Sequence, residues 1–416
     1  MLLGYRVPVK SRTGAQPAVL RLLFLNWRDT RHPEGGGSEV YVENVARALA
    51  AAGHQVTIFC AMYDGAAAEE IVDGVRFVRA GTKLSVYAEA IRRVRRRAFG
   101  DLDVIVDVQN GIPFMSRAVC GDTPVVVLVH HVHREQWPVV YDPLRSRIGW
   151  WIESRLAPRL YRDCTYVAVS ERTRAELAEL GVRPSRIHVI HNGIEAAPGL
   201  DVQATAHPHV AVVGRLVPHK RVEHVLRSAA ILRKRLPDLR VSIVGDGWWS
   251  ARLRRVAEAL GVDDMVDFHG FVDEKTKHRL YASSWVLALP SLKEGWGIVV
   301  MEAATHGVPS IAYREAGGVA ESIQHDQTGL LVDGGFEEFA EVLGRLLECP
   351  ETRAGLGQRA RARAEEFTWA ATANAFAAVL GEVSDRVSRV RVVPGPSGHI
   401  EHHASAPTDR LDQLSP

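Results

Sequence analysis

Short apolar runs rich in β-branched residues recur along this chain, and between them the apolar positions fall at helical spacing. Residues 20–25 open the series, followed by the glycine loop Gly35-Gly36-Gly37 and a helix expected over about 38–52. Further strands are expected at 56–60, 75–78, 104–108, 125–129, 166–169 and 187–190. The runs are continuous rather than alternating, so both faces of each strand are apolar. That predicts a mostly parallel sheet covered by helices on both sides, the doubly wound α/β class.

The rhythm lapses over residues 196–207, where Pro198, Gly199 and the following Pro208 break up a segment without periodicity. A linker is predicted there. Strands then resume at 209–213, 240–244, 265–268, 285–289, 310–313 and 330–332. The expected organisation is two Rossmann-like domains, 19–195 and 208–367, with a terminal amphipathic helix over 368–384. Residues 1–18 are polar and basic, while 385–416 mix Pro, Gly, Ser and His; both are expected to be disordered.

A length of 416 residues fits two cores better than one. The 51 basic residues nearly match the 49 acidic ones, so the net charge of +2 does not point to nucleic acid. Cys60, Cys120, Cys164 and Cys349 lack metal-ligand spacing and read as free thiols in a reducing compartment. Neither a secretory leader nor an apolar run of membrane-spanning length is present. A cytoplasmic protein is expected, with peripheral contact at the inner face of a membrane left open.

The densest chemistry lies in Lys293-Glu294-Gly295-Trp296-Gly297-Ile298-Val299-Val300-Met301-Glu302. Gly295 and Gly297 allow backbone to approach a ligand closely, and the helix that follows presents unpaired N–H groups. Carboxylates such as Glu294 and Glu302 accept paired hydrogen bonds from the vicinal hydroxyls of a hexose or ribose. If the helix ran unbroken from Glu294, Glu302 would lie about two turns along on a similar face. The stretch is expected to grip something anionic and polyhydroxylated.

Gly214-Arg215-Leu216-Val217-Pro218-His219-Lys220 follows the strand at 209–213. Cations in the first turn of a helix oppose its macrodipole, so Lys220 and Arg221 sit at a cost unless an anion lies between them, Arg215 and the helix end. A diphosphate suits that arrangement. Gly35-Gly36-Gly37 and Gly317-Gly318 likewise follow strands and precede helices, where backbone N–H groups meet phosphates or sugars. The G-x-G-x-x-G spacing is absent, which argues against a nicotinamide-dependent oxidoreductase. The loops after the first, fourth and fifth strands of the second domain are expected to converge on one crevice.

His130-His131-Val132-His133 ends the strand at 125–129. His130 and His131 face opposite ways on a continuing strand, and Glu135 and Asp142 complete no ligand spacing. His130 is therefore expected as a polar group facing the cleft between the domains, and no metal is expected. Trp150 and Trp151, with Arg145, Arg147, Arg155 and Arg159, suit either an anionic membrane surface or a helix with buried tryptophans and solvated arginines. The sequence does not separate these two.

With those residues in view, the chain resembles the retaining, GT-B-fold glycosyltransferases of family 4, which include bacterial phosphatidylinositol mannosyltransferases and sucrose synthase-like enzymes. The likeness spans about residues 20–383. Glu294 and Glu302 match the family's E-x7-E motif, Arg215 and Lys220 its phosphate-binding pair, and His130 the histidine that contacts the donor sugar. The resemblance implies a nucleoside-diphosphate sugar as donor and a glycan, lipid-linked or small-molecule acceptor, without cofactor or divalent metal. Glu302 would bind ribose hydroxyls, Glu294 the sugar, and Arg215 and Lys220 the diphosphate. Backbone N–H groups of Gly317 and Gly318 would assist on the phosphates. Gly35, Gly36 and Gly37 would form the acceptor-side loop near the phosphates, and Phe271 and Val272 would reach the base. The terminal helix would cross back to brace the first domain. Trp296 stands where the family often carries phenylalanine. Competing readings are a GT-B-fold sugar-nucleotide epimerase and a non-catalytic nucleotide-sugar-binding protein.

Overall fold

Uninterrupted burial along the central strands is what makes two parallel sheets, because both faces of each such strand need a cover of helices. The computed structural model describes residues 19–391, with side-chain surroundings over 19–385. Residues 1–18 and 392–416, for which disorder was expected, lie outside the described residues. The first lobe contains β1 (Arg21–Leu25), β2 (Gln55–Cys60), β3 (Glu69–Val72), β4 (Val75–Arg79), β5 (Val104–Gln109), β6 (Val125–Val129), β7 (Thr165–Ala168) and β8 (Ile187–Val189). Its spatial order is β3-β4-β2-β1-β5-β6-β7-β8.

The second lobe contains β9 (His209–Val213), β10 (Arg240–Val244), β11 (Val266–Gly270), β12 (Val286–Leu289), β13 (Ser310–Tyr313) and β14 (Gly329–Val332), ordered β11-β10-β9-β12-β13-β14. All neighbouring strands run parallel except β3 with β4. β3 has no counterpart in the sequence expectations. Its Glu69-Glu70-Ile71-Val72 offers no apolar run, and it exists as an edge hairpin closed by Asp73 (φ 51°) and Gly74 (φ 78°).

Alternate residues of one strand serve opposite cores. Leu22 and Phe24 of β1 pack with Tyr41, Val45 and Phe376, while Leu23 and Leu25 pack with Val86, Ile105 and Tyr161. Each fully buried side chain of this size contributes about 1.5–3 kcal/mol.

Strand order reverses beside β1 in the first sheet and between β9 and β12 in the second, and such switch points open a crevice at the carboxyl ends of the strands. The loops after β9, β12 and β13 all end there. The chain crosses between lobes twice, and the crossings touch: Ile194 N donates to Phe367 O at 3.1 Å. At Gly193 a Cβ would lie 2.4 Å from Trp369 N. The terminal helix Trp369–Arg391 then packs on the helix Gly37–Ala51, with Phe376 against Tyr41 and Phe24. It passes the end expected at 384 because no proline interrupts the sequence before Pro394.

Candidate active site

Two helix N-termini meet across the crevice, one from each lobe. At Gly37, which opens the helix Gly37–Ala51, a Cβ would lie 3.0 Å from Ile298 Cγ2, the first residue of the helix Ile298–Thr305. At Gly36 a Cβ would lie 3.7 Å from Arg215 Nε. The glycine loop of the first lobe therefore faces the phosphate loop of the second. Its Gly36 N–H is already committed to Glu39 Oε2 at 2.7 Å, and Gly35 N–H to His32 O at 2.7 Å. The helix cap is thus Gly36 closed by Glu39. Glu39 also forms a buried ion pair with Arg28 at 3.0 Å.

The Arg215 side chain makes no hydrogen bond or ion pair among the described residues, and burial followed by the nearby Arg28 charge lowers its guanidinium to about 10. A cation so placed gains most from an anion that approaches it. Gly297, Ile298 and Val299 add backbone N–H groups without hydrogen-bond partners among the described residues, at the positive end of their helix.

Lys220 stands elsewhere than the sequence suggested. Pro218–Lys220 forms a single 3-10 turn, Arg221 takes φ 49°, and the α-helix begins only at Glu223. Lys220 therefore does not oppose a macrodipole in a first turn. Its Nζ donates to Glu294 Oε1 at 2.5 Å, and Ser291 Oγ donates to the same oxygen at 2.7 Å. Glu294 Oε2 makes no hydrogen bond among the described residues. The carboxylate is thus anchored by one oxygen and available for hydroxyls through the other.

The two motif glutamates are not stacked on one helix. Gly297, at φ 80°, caps the helix three residues after Glu294, and only Glu302 lies within it. The break follows from the left-handed backbone that glycine admits. Glu302 belongs to a second cluster, where Tyr281 OH donates to Oε2 at 2.7 Å and Lys277 Nζ to Oε1 at 3.0 Å. Phe271 is 90% exposed just past β11, and Val272 is half-buried against the second core.

Gly318 does a different task from the one expected, while the Gly317 N–H has no hydrogen-bond partner among the described residues. Gly318 N donates to Glu294 O at 3.1 Å, so its N–H is spent on fixing the Glu294 loop rather than left for phosphate. A Cβ at Gly318 would fall 1.8 Å from Gly295 O, and one at Gly295 would fall 2.2 Å from His130 O. Three backbones thus touch in sequence, from the β13 loop through the Glu294 loop to the end of β6.

His130 lies at that junction, buried against the edge of Tyr41. Its Nε2 has no partner, and burial lowers the imidazole to about 4. Unforeseen among the site residues is His219, whose buried Nδ1 is also without a hydrogen-bond partner among the described residues. Burial, then Lys220 and Arg215, lower it to about 3. Its place next to Lys220 was the available signal. Also unforeseen are the ties between lobes. Lys293 forms an ion pair with Glu176 of the helix Glu171–Glu179, and Glu321 caps that helix, accepting from Glu171 N at 2.9 Å and Arg172 N at 2.7 Å.

The tryptophan–arginine region divides between its two readings. Trp150 is partly buried against the first core, whereas Trp151 is 54% exposed in line with exposed Leu144 and Ile148 on the helix Pro143–Trp151. No helix among the described residues is long and apolar enough to cross a membrane.

Residues 35–198 match Glycosyltransferase Family 4, and residues 203–363 match Glycosyl transferases group 1. The D-inositol 3-phosphate glycosyltransferase of Kribbella flavida is 30% identical over 390 residues, spanning 82% of this chain and 89% of that protein. The chain belongs to glycosyltransferase family 4. Another relative, the GDP-mannose-dependent alpha-(1-6)-phosphatidylinositol monomannoside mannosyltransferase of Mycolicibacterium smegmatis, is 29% identical over 79% of this chain and 90% of its own. Among solved structures, sucrose-phosphate synthase from Thermosynechococcus elongatus superposes with a TM-score of 0.73 at 21% identity, over 89% of this chain and all of that one. Anabaena HepE in complex with UDP-glucose gives 0.66 at 19% identity, over 87% and all. These likenesses establish the two-lobed architecture of this family 4 glycosyltransferase as GT-B.

As a hexosyl-transferring enzyme, this family 4 glycosyltransferase must weaken the bond between a sugar and its leaving group. Lys220 is held by Glu294, and the N–H groups after Gly297 by their helix. Preorganised donors of that kind lower a barrier more than donors that must first reorient.

Proposed function

We propose that the protein transfers a hexose from a nucleoside-diphosphate sugar, with retention of anomeric configuration, to a hydroxyl of a glycan, lipid-linked or small-molecule acceptor. The observation that carries this reading is Arg215, without an ionic partner, between two facing helix N-termini and beside the Lys220–Glu294 pair. Diphosphate fits the cationic part, and a sugar hydroxyl fits the free oxygen of Glu294. The HepE complex with UDP-glucose and the GDP-mannose-dependent relative support a nucleotide-sugar donor.

In this reading the anomeric carbon–oxygen bond breaks as Arg215 and Lys220 neutralise the diphosphate. The acceptor attacks from the same face, and its proton passes to the departing phosphate. The two side-chain cations supply the charge for which other transferases use a divalent metal, so activity should survive EDTA. Glu302 holds the ribose once Tyr281 and Lys277 share it, and Phe271 stands where a base can stack.

The protein works in the cytoplasm in this reading. Leu144, Ile148 and Trp151, spaced at helical intervals and flanked by exposed Arg145, Arg147, Arg155 and Arg159, suit peripheral contact with an anionic membrane. Flotation with phosphatidylglycerol vesicles, against phosphatidylcholine alone, tests that part.

The decisive experiment is a thermal-shift screen with UDP-, GDP- and ADP-sugars on the wild-type chain and Arg215→Ala. One nucleotide class should raise the wild-type melting temperature and leave the variant unmoved. No shift with any donor defeats the reading.

A further inference from the structure

Three residues past His130, one histidine is fixed by a carboxylate that the chemistry above does not use. Glu153 is completely buried in the π-helical turn Ile152–Leu156 and accepts three hydrogen bonds. His133 N donates at 3.0 Å, the His133 ring contacts the same oxygen through Nδ1 at 3.1 Å, and Trp137 Nε1 donates at 2.7 Å. A carboxylate flanked by two N–H donors accepts from the ring as well, so Nδ1 carries the hydrogen. In the neutral ring, Nε2 is then left as a hydrogen-bond acceptor.

The ring has little freedom. The His131 ring lies against it, tilted by 33° at 4.1 Å between centroids, and is itself held by Gln136 at 3.1 Å. Trp137 is wedged so tightly that a Cβ on Gly149 would fall 2.3 Å from its ring. Yet His133 remains 17% exposed, and Nε2 makes no hydrogen bond among the described residues. Nε2 is thus open to a hydroxyl from outside the chain. Single π turns also gather at functional positions.

The ring belongs to the first lobe but stands beside the phosphate loop of the second. The short helix Trp137–Val140 packs on the turn Pro218–Lys220. His219 offers a buried, unpaired Nδ1 there.

We propose that His133 Nε2 accepts a hydrogen bond from a second O–H of the acceptor, beside the attacking hydroxyl, with Glu153 as the residue that positions it. This rests on the transfer reading above. The acceptor oxygen forms a bond to the anomeric carbon, the carbon–oxygen bond to the diphosphate breaks with its electron pair, and the hydroxyl proton leaves with the diphosphate. His133, bonded to the neighbouring O–H, orients the acceptor throughout. The ligand class is a neutral hydroxyl, of a polyol or carbohydrate, with water as its smallest member.

The test uses His133→Asn and His133→Gln in the full chain. Asparagine reproduces the Nδ1 side and keeps the bond to Glu153, whereas glutamine places an acceptor where Nε2 was. UDP-glucose and GDP-mannose serve as donors, and water and D-myo-inositol 3-phosphate as acceptors. Donor binding is followed by thermal shift and turnover by released nucleotide. Binding should be unchanged in both variants. Turnover should fall roughly tenfold in H133N, the worth of one hydrogen bond, and recover in H133Q. A structural role predicts the opposite order, so H133N equal to or better than H133Q overturns the proposal. Binding without turnover in the wild type also overturns it. If the wild type binds neither donor, the transfer reading itself fails, and that result is separate from the variant comparison.

Discussion

Lys293 and Glu176 form an ion pair between the lobes in which the side chains are only 4% and 8% exposed, and Lys293 adjoins Glu294 directly. The position of the first lobe is thereby transmitted to the loop proposed to hold the sugar. Removing Lys293 leaves buried Glu176 paired only with the exposed Arg172 at 2.9 Å, a loss below the about 3–5 kcal/mol of a fully uncompensated buried charge. Lys293→Met should therefore lower the melting temperature markedly, and adding Glu176→Met should restore part of the loss. A double variant no more stable than the single one would show that the pair is not coupled.

Lys220→Ala and Arg215→Ala should each reduce kcat by about 10²–10³, the range seen when a preorganised electrostatic donor is removed. Circular dichroism should be unchanged, since the Arg215 side chain has no hydrogen-bond or ionic partner among the described residues. Lys220→Ala also frees Glu294 Oε1 from a 2.5 Å contact, so its donor KM should rise as well. Steady-state kinetics that leave kcat intact would remove both residues from the reaction.

Histidines 130 and 219 make stability depend on pH. Burial holds them at about 4 and about 3, against 6.5 for an ordinary imidazole. Folded values below the unfolded ones mean that the unfolded chain binds more protons as pH falls through 6.5. The stability they confer is complete above that pH and is lost as the pH drops toward their folded values, by up to about 1.4 kcal/mol per pH unit for each. Melting temperature should decline from pH 7.5 to 5, and less steeply in His219→Asn. A slope identical in wild type and variant would mean that His219 does not titrate in this way.

Gly295 and Gly318 admit no side chain. A Cβ at Gly295 would stand 2.2 Å from His130 O, and one at Gly318 would stand 1.8 Å from Gly295 O. Gly295→Ala should push the lobes apart at the proposed sugar site while each sheet stays intact. Limited proteolysis should then cut faster within 196–207, and nucleotide-sugar stabilisation should disappear. Unaltered cleavage and binding would place the strain elsewhere.

Most strands and the grouping of their loops were legible because a parallel sheet writes itself as continuous apolar runs, and β9, β10 and β13 begin and end where their runs do. β3 was not, since Glu69 and Glu70 carry no apolar signal and only the Asp73-Gly74 pair marks its hairpin. Within the site, the Lys220–Glu294 contact joins residues far apart in sequence that both read as polar and reactive. Lys293 with Glu176, and His133 with Glu153, escaped notice because each depends on a partner brought in by folding. The failed macrodipole argument for Lys220 shows the same limit from another side. A left-handed Arg221 moved the helix start past it, and no residue type announces that conformation.

The paired crossings at Ile194 and Phe367 mean that the polypeptide stitches its halves together in two places. A protease that severs 196–207 would still leave the carboxyl-terminal fragment seated on its neighbour through Phe376 and Trp369. The nicked protein should elute from a sizing column as one particle and separate only in denaturant, so its two fragments ought to reconstitute from independent expression.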